Sequence, residues 1–210
     1  IVYVATKTAE PDFYGGSRPG MNLFANCLVA LDAATGKRLW HFQAVHHDLW
    51  DMDFASPPTL LTVRHKGRRI DAVAQASKQG MLFLFNRVTG EPLFPIEERP
   101  VPQSDVPGEK SSPTQPFPTL PAPYARQRLT ENMLTRRTTE AHAAVLAKFR
   151  RYRSEGAFTP LELARRTVVF PGFDGGAEWR GEAVDPARGV IFINANDVPW
   201  TGGLREYRAN

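Results

Sequence analysis

The chain has 210 residues, enough for one domain or two small ones, and its 42% hydrophobic and 10% aromatic content is ordinary for a globular protein. The net charge of +4 comes from 26 Lys+Arg against 22 Asp+Glu, and the excess is concentrated between Arg126 and Arg153. That excess is too local to indicate a nucleic-acid partner and is typical of a solvated helix face. A single cysteine, Cys27, excludes an internal disulfide, and no apolar run reaches the ~18 residues of a membrane span.

The first 43 residues read as a strand, a long loop and a hairpin. Residues 1–5 alternate and branch like a strand, and residues 7–22 are rich in glycine and proline. The hairpin has strands at 26–32 and 37–43, joined by a tight turn in which Gly36 suits a positive φ. Because the chain opens inside a predicted strand and ends without a closing element, we expect a fragment of a longer protein.

This hairpin recurs twice more along the chain. Residues 81–94 repeat the strand, the Thr-Gly turn and an aromatic, and residues 182–194 give a weaker third copy. Two further strands, 59–63 and 70–75, are joined by a basic turn at 64–69, so four strands per repeat are plausible. Repeated antiparallel sheets are typical of propeller blades, although an ordinary antiparallel β protein with similar turns remains an alternative.

Residues 95–165 interrupt the rhythm of strands. Nine prolines between Pro95 and Pro123 predict a long irregular excursion, either a disordered linker or a functional loop that packs through residues 116–120. A helix follows, with Thr138 as N-cap and Gly156 as its stop. Its apolar stripe of Val145, Phe149 and Tyr152 predicts a docking face.

After a strand at 166–170, the glycine-rich loop at 171–179 has no phosphate-binding fingerprint. The densest group of chemically active side chains lies earlier, in the loop at 45–53.

Three interpretations of that loop are open. A metal site is disfavoured because adjacent histidines on an extended backbone point to opposite faces; its ligands would be His46, His47, Asp48, Asp51 and Asp53. General-base catalysis by Asp51 would need reach to a substrate proton and a cationic partner, for which Lys78 lies at another strand end. In the third interpretation the cluster only caps loops, and Trp50 only packs.

Several sequence segments resemble those of a known protein family; they are Pro11–Gly16, Val29–Trp40, His46–Asp53, Lys78–Gly80, Pro113–Phe117, Glu178–Trp179 and Asp185–Pro186. On these strings the chain from Tyr3 to about Asn196 resembles the pyrroloquinoline-quinone (PQQ)-dependent dehydrogenases, in particular the branch of membrane-type glucose dehydrogenases. The His-His-Asp-Leu-Trp-Asp string is long and specific. The Ala-x-Asp-x-x-x-Gly-Lys-x-x-Trp repeat is less so, because non-enzymatic propellers share it.

The resemblance implies an all-β fold that is part of an eight-bladed β-propeller with antiparallel four-stranded blades. Residues 1–210 would form one partial propeller domain, with residues 95–165 inserted as a Pro-rich loop and one helix. Trp40 would lock a blade by packing on its neighbour. The quinone would sit in the central funnel.

The resemblance also assigns chemistry to individual residues. Asp51 matches the general base that takes the substrate hydroxyl proton as hydride moves to the quinone. Lys78 matches the cation that polarises the quinone oxygens, and Glu178 and Trp179 fall at cofactor-binding positions. The implied substrate is a sugar or other alcohol, the implied acceptor of electrons is a quinone or a cytochrome, and the implied compartment is the periplasm. Any membrane association would come from segments outside this chain.

One departure from the family pattern bears on a metal. Where many relatives carry an Asn that helps to bind calcium, this chain has Thr8, next to Lys7. Calcium or magnesium therefore stays an expectation with Thr8 as its only ligand from this segment. Because the rest of the funnel would lie outside the chain, we expect the isolated chain to be inactive. The rival functions are a non-catalytic propeller that binds proteins and a metal-dependent hydrolase.

Overall fold

A computed structural model describes residues 1–207; the last three residues of the predicted domain, Arg208–Asn210, lie outside the described residues. Two three-stranded antiparallel sheets form its centre. The first consists of β1 (Val2–Ala5), β2 (Cys27–Leu31) and β3 (Arg38–Gln43), and the second of β4 (Thr59–His65), β5 (Arg68–Ala76) and β6 (Leu82–Asn86). Three two-stranded sheets pair β7 (Ile96–Pro100) with β8 (Thr114–Pro118), β9 (Thr167–Val169) with β12 (Trp200–Gly202), and β10 (Glu182–Asp185) with β11 (Val190–Ile193).

The three predicted hairpin turns share one hydrogen-bonding pattern. In each, a side-chain oxygen of Asp32, Asn86 or Asp185 accepts bonds from backbone amides two and three residues later. A glycine four residues after each of them closes the turn at φ 70°, 76° and 65°. Asx side chains stabilise such turns, and glycine adopts the left-handed conformation without steric cost, so this local chemistry sets the hairpins.

Trp40 packs on the neighbouring sheet, as the resemblance implied. Its indole N–H donates to the carbonyl of Arg87, 3.2 Å away, in the turn after β6. The ring lies 5.8 Å from that of Phe85 and against Gly90, where an added Cβ would come within 2.7 Å of it. The indole therefore joins the first sheet to the turn of the second.

The number of strands differs from the expectation. The two central sheets have three strands each in the described chain, and only an isolated bridge between Phe85 and Pro92 marks a fourth position in the second. Residues 87–91 form the turn after β6, and the residues that follow this turn pair with β6 only through that one bridge. Four-stranded blades and a total of eight blades remain predictions.

The Pro-rich segment is more regular than predicted. β7 and β8 pair from Ile96↔Pro118 to Pro100↔Thr114, and Phe117 packs edge-on to Phe158 at 5.7 Å. Gln115 is fully buried and bonds both backbone groups of His46, at 2.8 Å and 2.7 Å. Proline has no backbone N–H to donate. Prolines fit this two-stranded sheet because each strand has one edge that forms no ladder hydrogen bonds.

The predicted helix, α1, spans Thr139–Phe149, and the Thr138 hydroxyl accepts a bond from the amide of Ala141. The predicted docking face is not borne out within the described residues, because α1 has no buried residue and Val145 is 37% exposed. The other two residues of the stripe, Phe149 and Tyr152, are partly exposed, so the described chain covers the stripe only in part. In residues 1–207, no helix is both long and apolar enough to cross a membrane.

The main core lies between the two central sheets and encloses part of the 45–53 loop. Leu28, Phe83 and Phe85 are almost fully buried there. Val45, Leu49 and Trp50 from the loop belong to the same cluster. The loop is therefore anchored from inside the protein.

Candidate active site

The 45–53 loop has a buried half and an open half. Trp50 is 1% exposed, its indole N–H donates to the Thr159 carbonyl at 2.8 Å, and its ring meets Phe158 edge-on at 5.3 Å. The side chains of Asp51 and Asp53 are 28% and 20% exposed. The interpretation of Trp50 as a packing residue is confirmed, and the loop presents two carboxylates at the surface of the core.

Asp48 holds this loop together from beneath. Its Oδ1 accepts the amide of Trp50 at 2.8 Å, and its Oδ2 accepts the amide of Met52 at 2.7 Å and the side-chain amide of Asn26 at 2.9 Å. The Thr8 hydroxyl also donates to Oδ2. Complete burial raises the pKa of Asp48, although these hydrogen bonds lower it.

The two histidines diverge as predicted, although the backbone at His47 is left-handed, with φ 46°, and not extended. His46 places one ring nitrogen 3.0 Å from Gln43 Oε1 and the other 2.9 Å from Glu98. The Nδ1 of His47 lies 2.6 Å from the Gly20 carbonyl. They contact different partners, and in residues 1–207 no group of three or more His, Cys, Asp or Glu side chains is arranged to hold a metal ion.

Lys78 brings the carboxylates of the site together. Its ammonium lies 3.1 Å from Asp51 Oδ2, 3.3 Å from Asp53 Oδ2 and 3.9 Å from Glu178 Oε1. It also donates to the backbone carbonyl of Asp51 at 3.0 Å. The pairing of Asp51 with Lys78 predicted from two strand ends is thus present in the structure.

Glycines let the loop at 171–179 lie directly against Lys78. Gly175 has φ +73°, and a Cβ there would come within 2.5 Å of the Lys78 side chain. The amide of Gly176 donates to the Lys78 carbonyl at 2.7 Å. This contact carries Glu178 to the site and keeps the Lys78 side chain only 7% exposed.

The charges of the site act on one another. Burial raises the pKa of Asp51 to about 6; the Lys78 ammonium lowers it and the Asp53 carboxylate raises it. Burial disfavours the ammonium of Lys78, but Asp53 and Asp51 outweigh it and raise the pKa of Lys78 above its usual range. Burial also raises the pKa of Glu178, which Lys78 opposes. At neutral pH the site therefore holds one cation and an Asp51 carboxylate close to its titration point.

The remaining predicted site residues are placed differently. Glu178 reaches Lys78, whereas Trp179 is 72% exposed, with the Arg180 guanidinium 5.9 Å from its ring centre. Thr8 is buried, and its hydroxyl donates to Asp48 and accepts from Asn26. These bonds occupy the Thr8 hydroxyl, so a metal role for Thr8 remains a prediction that the described contacts do not support.

Sequence reasoning misses the part played by Asp53, for which it offers only a metal-ligand or a loop-capping role. Its Oδ2 pairs with Lys78, and its Oδ1 accepts the amide of Thr8 at 2.5 Å. The available signal was its position two residues after Asp51, which puts two acidic side chains in one short loop. Asn26 gave no comparable signal, because its partners lie 18 to 26 residues away in sequence.

Comparison with known proteins now identifies this arrangement of sheets and charged residues. Residues 1–209 match the family model described as "PQQ: Glucose/ethanol/alcohol dehydrogenase, beta-propeller domain". The chain belongs to this family. It is therefore a PQQ β-propeller domain, composed mostly of strands in small antiparallel sheets and containing one α-helix and one short 3-10 helix (Glu131–Met133) among the described residues.

Its relatives include quinoprotein glucose dehydrogenases. The protein from Gluconobacter oxydans is 39% identical over 206 residues, which cover 97% of this chain and 25% of the relative. Quinoprotein glucose dehydrogenase A from Acinetobacter calcoaceticus is 38% identical over 212 residues, with 97% and 26% covered. The chain thus spans about a quarter of the length of these relatives.

A solved structure shows the same fold. The quinohemoprotein alcohol dehydrogenase from Comamonas testosteroni superposes with a TM-score of 0.59 at 21% identity, over 95% of this chain and 24% of the other. At that identity the likeness concerns the fold alone.

Proposed function

We propose that this chain supplies the base-bearing part of a quinoprotein dehydrogenase that oxidises a sugar or another alcohol, with Asp51 as general base. The observation that carries the proposal is the Asp51 carboxylate, with a pKa raised to about 6, held 3.1 Å from the buried Lys78 ammonium. A base whose pKa lies near the operating pH combines the right protonation state with good proton affinity.

The residues fit the PQQ that the family implies. Lys78 offers a shielded cation beside the open carboxylates, which suits quinone oxygens, and Glu178 lies next to it. Trp179 presents a largely exposed indole that is free to contact a planar molecule. When bound, PQQ supplies the acceptor for the hydride of the substrate.

The residues of this chain accept the proton of the substrate and fix the orientation of the base. Asp51 accepts the proton of the substrate hydroxyl on its carboxylate, which strengthens the tendency of the neighbouring carbon to lose hydride. Lys78 donates to both the carbonyl and the carboxylate of Asp51 and thereby fixes the direction of the base. The same ammonium stabilises negative charge that develops on an oxygen placed beside it.

A calcium or magnesium ion at this site would need ligands from outside the described residues. The Thr8 hydroxyl is engaged by Asp48 and Asn26, and the Lys78 ammonium occupies the space that a cation between Asp51 and Asp53 would take. The residues present do not fit a metal by themselves. The europium-containing methanol dehydrogenase is a structural neighbour at 17% identity, which shows fold and not metal use.

The remaining parts of the proposal come from the relatives. Quinoprotein glucose dehydrogenases and a glycerol dehydrogenase large subunit from Gluconobacter oxydans, 35% identical, favour a sugar or polyol as substrate. We propose a periplasmic location, with a quinone or a cytochrome as the acceptor of electrons. A non-catalytic scaffold would have no use for a buried lysine that gathers three carboxylates.

The test is Asp51→Asn in the full-length protein that carries this chain, assayed with an aldose, PQQ and an artificial electron acceptor. We expect kcat to fall by about a thousandfold, because general-base catalysis contributes roughly 10² to 10⁴ in rate. The matched control is Asp71→Asn, which removes an aspartate 2.9 Å from Arg87 at an exposed position. Equal activity of the two variants would disprove the role of Asp51.

A further inference from the structure

The loop that carries Asp51 has an unfavourable backbone conformation that something must hold. Asp51 has φ +59°, in the left-handed region that residues other than glycine rarely adopt. In that conformation the side chain crowds the backbone, so the conformation persists only where the surroundings determine it.

The Asp48 carboxylate binds the backbone on both sides of Asp51. Its two oxygens accept the amides of Trp50 at 2.8 Å and Met52 at 2.7 Å, the residues directly before and after Asp51. Both oxygens of Asp48 accept in the bonds from Trp50, Met52, Asn26 and Thr8, as those of an ionised carboxylate do, and hydrogen bonds to a charged acceptor are about twice as strong as neutral ones. One buried carboxylate therefore restrains the turn in which Asp51 sits.

Asp48 is in turn fixed to the first sheet and to the loop before it. The Asn26 side-chain amide, next to the start of β2, donates to Asp48 Oδ2 at 2.9 Å and to the Met52 carbonyl at 3.0 Å. The Thr8 hydroxyl also donates to Oδ2, and the Thr8 amide bonds Asp53 at 2.5 Å. Arg18 donates to the Asp48 carbonyl and brings a positive charge close to it.

We infer that Asp48 is the positioning residue of the site: its buried carboxylate clamps Trp50 and Met52 and so directs Asp51 at the substrate, while Thr8 and Asn26 fix the clamp to the sheet. Asp48 is 1% exposed and touches neither Lys78 nor the open face of the site, so it acts only through Asp51 and Asp53. The catalytic part of this inference rests on the proposed function; the structural part does not.

The test compares Asp48→Asn with Glu162→Gln in the full-length protein. Glu162 is a matched control because it is a buried carboxylate, 5% exposed, paired with Arg153 and Arg165 instead of with the site. In Asp48→Asn, the amide group must face one of the bound backbone N–H groups, so one clamp bond is lost. Thr8→Val is the second variant; it removes one donor to Asp48 and keeps the charge, which covers the case in which Asp48→Asn does not fold.

Two readouts are needed. Hydrogen exchange of the 48–53 segment, measured by mass spectrometry without cofactor, should be faster in Asp48→Asn and in Thr8→Val and unchanged in Glu162→Gln. With cofactor, kcat should fall about 100-fold in Asp48→Asn, the usual cost of misplacing a reacting group by about 1 Å. It should fall about tenfold in Thr8→Val, the size of one lost bond to a charged group. KM should stay within about threefold in both, because substrate binding does not use Asp48.

The inference is overturned if exchange and kcat in the two site variants match those of Glu162→Gln. It is equally overturned if exchange rises while kcat does not fall, since Asp48 would then be merely structural. Retention of activity by Asp51→Asn would refute the proposed function instead, and the exchange comparison would still decide whether Asp48 holds the loop.

Discussion

Asp51 lies between opposing influences, and their balance sets its chemistry. Burial and the neighbouring Asp53 carboxylate raise its pKa, the Lys78 ammonium lowers it, and the result is about 6. A carboxylate fully neutralised by its lysine would be a weak base, whereas without the lysine the pKa of Asp51 would be higher still. The three residues together give a base that is ionised at neutral pH and still has affinity for a proton.

The raised pKa of Asp51 also predicts a gain in stability when its charge is removed. Ionising Asp51 costs the folded state at most about 3 kcal/mol, taken from a rise from 3.8 to about 6 at about 1.4 kcal/mol per pKa unit. The real figure is lower, because the side chain is 28% exposed and water screens it. Asp51→Asn should therefore unfold at a higher temperature than the wild type at pH 8.

The pH dependence of this gain follows from linkage. Between pH about 4 and 6 the folded state binds more protons at Asp51 than the unfolded state, so wild-type stability falls as the pH rises through that window. The difference between Asp51→Asn and the wild type should be absent below pH about 4 and complete above pH about 6. Thermal unfolding across this range measures it, and a variant less stable than the wild type at pH 8 would contradict it.

At the scale of elements, the hairpins repeat one local device. An Asx side chain caps the turn, a glycine closes it, and in the first hairpin an indole four residues after the glycine packs on the next sheet. The turn and its glycine could be predicted because the contacts within the turn span only a few residues. The packing of Trp40, 47 residues from Arg87, was expected only from the family resemblance. The N-cap of α1 at Thr138 was predictable for the same reason.

Substitution of two glycines in these turns distinguishes the cost of backbone strain from the cost of disturbed packing. Gly36 and Gly90 have φ +70° and +76°, but an added Cβ meets nothing within 4 Å at Gly36 and lies 2.7 Å from the Trp40 ring at Gly90. Gly36→Ala should cost about 1 kcal/mol from strain alone. Gly90→Ala should cost about 1–3 kcal/mol more, because the indole must move.

Thermal unfolding of the two glycine variants in the full-length protein compares them directly. Equal losses would show that Trp40 contributes nothing specific to the contact between the sheets. A larger loss in Gly36→Ala would contradict the role assigned to this contact altogether.

Other elements were beyond sequence reasoning because distant partners decide them. The Pro-rich segment forms a paired ribbon because Gln115 bonds the backbone of His46, 69 residues away. The stripe on α1 predicted a docking face, yet none of its residues is buried in the described chain. Periodicity indicates which face of an element is apolar; the tertiary structure determines whether anything covers it.

At the scale of the whole chain, the site combines three distant segments. The pairing of Asp51 with Lys78 could be predicted, because both follow strands and the family resemblance assigns them adjoining roles. The contributions of Asp48 and Thr8 could not, because the hydrogen bond between them joins residues 40 positions apart. Hydrogen bonds across such separations leave no periodic pattern in the sequence.

The chain alone should not oxidise substrate. The site is partly exposed in this chain, because solvent reaches the side chains of Asp51, Asp53 and Glu178, and Trp179 is 72% exposed. The described residues therefore enclose the site only in part. We predict no dye-linked turnover when the 210-residue chain is mixed with PQQ, calcium and an aldose. Activity equal to that of the full-length protein would contradict this prediction.

The central claim is that Asp51 acts as a base whose pKa is set by burial, Lys78 and Asp53. The pH dependence of kcat/KM in the full-length protein, wild type against Asp53→Asn, tests it most directly. In the wild type, kcat/KM should rise with pH to a plateau, with a midpoint near 6. Removing the Asp53 charge should move that midpoint to lower pH, because this carboxylate raises the pKa of Asp51. A midpoint that stays in place or moves to higher pH in Asp53→Asn would contradict the account.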